Sequence, residues 1–205
     1  MVPSRLAMFV PLPPVRDQVH NWVNWAGAFT AEQVARCVAL CEQLPRSGGT
    51  TFESGSRPAA TAVRRSEVAW LRPSPEASWL FDKLAYICDD MNSKFFRFEL
   101  SGFHEPLQYT IYEHRPGTTP GHYTWHMDRG ADITPRKLSL VVQLSDPADY
   151  DGGDLELFYA DPAVRAPRGL GHVVGFPSFV MHRVTPVTRG LRRSLVVWVG
   201  GPGFR

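Results

Sequence analysis

The chain has 205 residues, enough for one domain around a single core. A hydrophobic content of 43% and an aromatic content of 12% exclude a disordered chain, and a formal net charge of +2 is too small to argue for nucleic acid or a membrane surface as partner. The longest apolar runs, LSLVVQL and SLVVWVGG, have strand length and fall far short of a membrane-spanning helix.

Residues 1–28 are rich in Pro and Trp and read as a strand or arm packed on the domain. The opening MVPSRLAMFVPLPPVRD has no continuous apolar stretch ending in a small-residue cleavage site, so no signal peptide is expected. Thr30 and Gln33 form a capping box, and Val34, Val38 and Cys41 continue one apolar helix face as far as Pro45. Cys37 and Cys41 share that helix. No second Cys/His pair with matching spacing follows, so both read as packed free thiols. Three cysteines, with Cys88, fit a reducing cytoplasm.

Residues 46–60 have loop composition. Val63–Leu71 reads as a strand. Ser74 and Pro75 start a second helix, with Leu80, Leu84, Ile87 and Met91 inside, that runs to about Phe95. From there the pattern is strands and turns: Phe96–Leu100, Pro106–Glu113, His122–Met127, Lys137–Leu144, Asp154–Tyr159, His172–Phe176, Phe179–Arg183 and Arg192–Val199. Asp151-Gly152-Gly153-Asp154 is a tight turn; no helix follows it, so it is not a phosphate cradle. The expected fold class is α+β, mainly β: an antiparallel barrel or sandwich with the N-terminal helices on one side. The chain reads as a single domain, with 1–95 as helical support and 96–205 as the β core.

The chemistry concentrates in WHMDRG and FPSFVMHRV. His126 and Asp128 are two apart, so on a strand both point to one face. With His182 they make two imidazoles and one carboxylate, the facial triad of non-haem Fe(II) oxygenases. Arg192 follows His182 by ten residues and can hold the far carboxylate of a dicarboxylic acid in a two-pronged pair. Ser194 shares its face and can add a hydrogen bond, whereas Arg193 points the other way. A non-catalytic cupin-like metal module would more often carry three or four His with a Glu. A two-metal nuclease or phosphatase would want several carboxylates, and only Asp128 falls in the cluster.

These residues, with SDPADYDGGDLEL, MHRVTPVTRG and Arg192-Arg193-Ser194, resemble the Fe(II)- and 2-oxoglutarate-dependent dioxygenases. The branch they are most similar to is the prolyl 4-hydroxylase-like group, in particular the PKHD-type hydroxylases. The resemblance covers roughly Glu99 to Val199. It implies a double-stranded β-helix, or jelly roll. It implies Fe(II), 2-oxoglutarate and O₂, with His126, Asp128 and His182 as iron ligands and Arg192 on the co-substrate. The reaction implied is hydroxylation of an unactivated C–H bond, with release of succinate and CO₂. The substrate implied is a prolyl or other amino-acid side chain in a protein or peptide; a free amino acid or small natural product is the alternative. Halogenation is disfavoured, because halogenases replace the carboxylate ligand and Asp128 is present.

The resemblance also places Tyr112 against the co-substrate. Tyr109 has the opposite parity, so only one of the two can point inward. Gln143 stands where some relatives carry a co-substrate-contacting Tyr. Arg65 resembles a position lining the substrate cleft, and Arg129 is a candidate at its rim. His114, in EHRPGTTPG, lies in a loop whose Gly and Pro content permits a lid. His104 and His172 have no partner by spacing and read as structural.

Overall fold

The computed structural model describes residues 20–49, 60–128 and 135–203. The expectations placed on residues 1–19, on 50–59 and on Arg129 lie outside the described residues.

Strand β1 (Val23–Trp25) opens the described chain. Helix α1 (Ala31–Glu42) starts at the expected capping box: the Gln33 amide donates to Thr30 Oγ1 at 3.2 Å, and the Thr30 amide donates to Gln33 Oε1 at 3.1 Å. Next come β2 (Ser47–Gly48), the short helix α2 (Ala60–Val63), β3 (Arg64–Arg65) and β4 (Glu67–Leu71). Helix α3 (Ser78–Met91) begins later than the Ser74-Pro75 signal suggests, because Ser74 caps a separate turn, accepting from the Ala77 amide at 3.3 Å.

A second difference follows α3. Phe96–Leu100, expected as a strand, forms none. Asn92–Phe96 extends the helix as a π turn, and Arg97 ends it in the left-handed region at φ 54°. The Asn92 side chain then bonds both the amide and the carbonyl of Phe98, at 2.8 and 2.9 Å, so this backbone is satisfied without a ladder.

The remaining strands are β5 (Leu107–Glu113), β6 (His122–His126), β7 (Arg136–Gln143), β8 (Tyr150–Gly152) and β9 (Leu155–Phe158). After them come β10 (Val164–Arg165), β11 (Val173–Pro177), β12 (Met181–Val184) and the long β13 (Val187–Gly200). They form two antiparallel sheets. The larger has the order β1-β11-β7-β13-β5-β4-β2, with β8 also on β13; the smaller has the order β10-β9-β12-β6-β3. This is the jelly roll, an arrangement that packs two sheets face to face. The boundary expected at residue 95 does not divide helix from sheet: β1, β2 and β4 extend the larger sheet, and β3 edges the smaller one.

Alternation divides the larger sheet into two chemically different faces. Outward go Leu138, Leu140, Val142, Leu195, Val197 and Val199, which pack on α1 and α3 through Val34, Leu80, Leu84, Ile87 and Met91 in one buried cluster. Inward go Ser139, Val141, Gln143, Arg192, Ser194, Val196 and Trp198, paired in register as Ser194↔Gln143, Val196↔Val141 and Trp198↔Ser139. A smaller cluster of Val141, Val174, Phe176, Leu155 and Leu157 joins the two sheets. The helices therefore cover the apolar face and leave the polar one enclosed between the sheets.

The turn after β8 is built from Gly152 at φ +68° and Gly153 at φ +64°. A Cβ on Gly152 would overlap the Pro186 carbonyl oxygen, and one on Gly153 would stand 3.1 Å from Arg192 Cδ. The turn thus makes room for Arg192 as well as joining two strands. Gly152→Ala is expected to destabilise the protein by about 2–3 kcal/mol, since it combines left-handed strain with a backbone clash. Chemical denaturation of both proteins checks this.

Candidate metal centre

His126 ends β6 and His182 sits in β12, directly across the ladder from it (His182↔His126). Asp128 follows two residues after His126, and its amide donates to the Ser178 carbonyl at 2.9 Å. His126 Nε2 lies 3.9 Å from Asp128 Oδ1, and His182 Nε2 lies 3.4 Å from Asp128 Oδ2. One ligand atom from each residue falls within 4.8 Å of the other two.

Each imidazole is aimed the same way. His126 Nδ1 is 2.8 Å from the Thr124 carbonyl oxygen and His182 Nδ1 is 2.9 Å from the Val180 carbonyl oxygen. A carbonyl only accepts, so Nδ1 carries the proton and Nε2 keeps its lone pair for the pocket. Asp128 Oδ2 accepts from Ser139 Oγ at 2.9 Å, and Ser139 Oγ is 2.9 Å from Ser178 Oγ. Phe176 packs 4.7 Å from the His182 ring.

The electrostatics suit a cation. Burial alone would push the Asp128 carboxyl up; the His182 and His126 imidazoles outweigh it, with Arg136 assisting, and hold it below its ordinary value. Burial, followed by the neighbouring His182, lowers His126 to about 3 despite the opposing pull of Asp128. The site therefore presents an ionised carboxylate and a neutral His126 imidazole, two of the donors a divalent first-row metal takes.

On the same inner face of the larger sheet as Ser139 lies Arg192, only 1% exposed. Its Nη2 donates to Gln143 Oε1 at 3.0 Å, Nη1 lies 3.5 Å from Ser194 Oγ, and its guanidinium carbon is 5.6 Å from the Tyr112 ring centroid. Nε is buried without a hydrogen-bond partner among the described residues. A buried guanidinium with an unused donor fits an anionic ligand that completes it.

The structure thus brings together His126, Asp128 and His182, and places Arg192, Ser194, Gln143 and Tyr112 on the adjoining inner wall. Tyr109 goes to the other face, where its hydroxyl donates to Glu42 Oε1 at 2.6 Å. Arg193 also leaves for Glu42, at 3.1 Å, and Arg189 pairs with Asp151 at the surface. Arg65 lines a cleft with Glu67, Glu113, Arg115 and Gly121, while its neighbour Arg64 turns inward, 6% exposed, with its guanidinium 4.7 Å from the Tyr123 ring centroid.

Sequence reasoning also passed over Tyr123, Ser139, Ser178 and Trp198 as site residues. Ser139 and Trp198 share strand parity with Gln143 and Arg192, a signal present in the sequence. Trp198 carries a buried indole N–H without a hydrogen-bond partner among the described residues and stacks with Arg136, whose guanidinium lies 3.5 Å from its ring centroid; Glu105 holds Arg136 at 2.6 and 2.5 Å. Tyr123 stacks on His126, and burial pushes its phenol up to about 12.

Comparison with known proteins shows what this arrangement is similar to. Residues 107–200 match the family model of the 2OG-Fe(II) oxygenase superfamily, a stretch that holds the triad and Arg192. A PKHD-type hydroxylase of Teredinibacter turnerae is 41% identical over 85 residues, covering 38% of this chain and 38% of that protein. A PKHD-type hydroxylase of Xanthomonas euvesicatoria is 44% identical over 71 residues, covering 34% of this chain and 30% of that protein. The match therefore spans only about a third of these relatives' length. Among solved structures, a Pseudomonas putida prolyl-4-hydroxylase shares the fold with a TM-score of 0.66 at 24% identity, over 90% of this chain and 94% of that one. A prolyl hydroxylase of Trichoplax adhaerens, in complex with a hypoxia inducible factor peptide fragment, gives 0.70 at 15% identity, over 88% and 84%. The matched stretch is thus similar to the 2OG-Fe(II) oxygenase superfamily and to PKHD-type hydroxylases, and the fold is that of the prolyl hydroxylase structures.

One expected outcome concerns pH. A free imidazole titrates near 6.5, and folded His126 near 3. Between these values the unfolded chain binds a proton that the folded chain does not, so stability is present above about 6.5 and is lost as pH falls towards 3. The metal-free protein should lose at most about 1.4 kcal/mol per pH unit from this group. His126→Gln should flatten that part of the profile, as read by urea denaturation at several pH values.

Proposed function

We propose that the protein is an Fe(II)- and 2-oxoglutarate-dependent dioxygenase that hydroxylates an unactivated C–H bond, with release of succinate and CO₂. The substrate in this reading is a prolyl or other amino-acid side chain within a protein or peptide. The observation that carries it is the convergence of two Nε2 lone pairs and one ionised carboxylate, together with a buried arginine with a spare donor. The PKHD-type names of the curated relatives support the reaction class. The peptide complex of the Trichoplax protein supports a peptide substrate.

His126, Asp128 and His182 would hold the iron, and Arg192 the distal carboxylate of 2-oxoglutarate. When bound, these groups with O₂ supply the oxidising power that the side chains lack. The protein's own part is placement. The two backbone carbonyls keep each histidine in the ligating tautomer. Ser139 holds one carboxylate oxygen of Asp128. Gln143 and Ser194 steer Arg192, and Tyr112 walls the same pocket. The apolar residues between the sheets keep water from this enclosed polar strip.

We further read the chain as a single oxygenase domain in which β1–β4 are part of the core. The buried free thiols Cys37, Cys41 and Cys88 support a reducing, cytoplasmic setting. No helix among the described residues is long and apolar enough to cross a membrane.

An anaerobic titration with Fe(II) and 2-oxoglutarate tests the reading. The weak visible charge-transfer band of the chelate should grow and saturate only with both present. Iron binding without that band would turn the site into a plain metal-binding module. Asp128→Ala should abolish iron-dependent succinate formation; full activity in that variant would remove the triad assignment. Arg192→Gln should leave iron affinity intact and raise the 2-oxoglutarate requirement on the order of 10–100-fold, the weight of a buried charge-assisted hydrogen bond.

A further inference from the structure

Tyr123 and His126 are three residues apart on β6, and regular alternation would send them to opposite faces. They nevertheless face each other, with ring centroids 3.4 Å apart and planes within 16° of parallel. The ladder shows how. His182 pairs with His126, but Val184 pairs with Tyr123, so two steps on β12 answer three on β6. The extra residue is a β-bulge, a device that re-aims side chains beside functional sites. It brings Tyr123 inward, against the small cluster of Tyr112, Tyr150, Val184 and Val187.

The two histidines differ in how well they are enclosed. The side chain of His182 is 6% exposed and that of His126 is 16% exposed. His126 also closes its strand, so no further β6 pairing holds the chain beyond it. Its Nδ1 contact to Thr124 fixes one atom of the ring and leaves it free to tilt about that point. The parallel Tyr123 ring removes this freedom on one side. His182, at 4.1 Å between centroids and inclined by 53°, limits it on another.

Tyr123 is itself braced from the first half of the chain. Arg64 pairs with it across the β3–β6 ladder, and its guanidinium sits 4.7 Å from the Tyr123 centroid, the geometry of a cation–π contact. Arg64 Nε donates to Ser66 Oγ at 2.8 Å, which helps hold the guanidinium in place. Arg64 lies outside residues 107–200, so this brace comes from outside the superfamily-matched stretch.

We propose that Tyr123, braced by Arg64, is the positioning residue that orients His126 for metal binding. The proposal rests on the metal reading above, and its role is geometric: the flat ring sets the plane of the imidazole and hence the direction of the Nε2 lone pair. Neighbours that orient a ligand in this way typically change metal affinity by 10–100-fold when removed.

Co(II), whose visible d–d bands report ligand geometry, is the probe, titrated into the full chain. Tyr123→Phe keeps the flat ring and should match wild type in affinity and spectrum. Tyr123→Leu should bind Co(II) about tenfold more weakly and with altered bands. Tyr123→Met keeps bulk without the flat face and carries the same expectation should the leucine variant fail to fold. Arg64→Leu should weaken binding less, and should add nothing in the Tyr123→Leu background, because it acts through the ring. A folded Tyr123→Leu or Tyr123→Met protein with wild-type affinity and bands overturns the proposal. Additive loss in the double variant overturns the part assigned to Arg64. Wild-type protein that binds no Co(II) overturns the metal reading itself, a distinct result.

Discussion

Everything in this molecule answers to the burial of opposite charges between two sheets. Asp128 and Arg192 are both withdrawn from water, at 7% and 1% exposure. An ion taken into such a place must be paired or hydrogen-bonded, or it will not stay charged. The inner wall of the larger sheet is therefore a strip of donors and acceptors rather than a hydrocarbon face. Ser139 answers Asp128, while Gln143 and Ser194 answer Arg192. The demands left over, a carboxylate facing two imidazole lone pairs and a guanidinium nitrogen without a partner among the described residues, are those that a metal cation and a carboxylic ligand would meet.

The helices follow from the same constraint. With its inner face given to polar groups, the larger sheet must find its apolar burial on the other side. That is where α1 and α3 pack, on Leu138, Leu140, Val142, Leu195 and Val197. The first half of the chain is more than a support for this layer. Its short strands complete both sheets, and Arg64 reaches the inner face to brace a ring that lies on an iron-ligand candidate.

Much of this was readable from strand parity, because side chains on a regular strand alternate without exception. Arg192 inward and Arg193 outward, Tyr112 inward and Tyr109 outward, both follow from that rule. The readings that failed did so where the backbone leaves regularity. Phe96–Leu100 has strand composition, but a π turn and the Asn92 side chain satisfy its backbone another way. Tyr123 was passed over because a bulge shifts its register by one residue, and a bulge has no signature in side-chain order. That Arg64 is the arginine of β3 that turns inward was not readable either, because β3 is two residues long and its facing depends on how it docks on β6.

The amino-acid order alone pointed to the candidate metal donors, to an inward-facing arginine and to the mainly β class. Those features are local in chemistry: residue type, spacing of two along a strand, and apolar alternation. The convergence of His126, Asp128 and His182 within 4.8 Å, the Ser139 and Ser178 contacts around Asp128, and the Arg64–Tyr123–His126 stack arose only on folding. Each joins segments far apart in the chain or hangs on one irregular ladder step. Distances of that kind are set by how two sheets pack, and no local pattern encodes them.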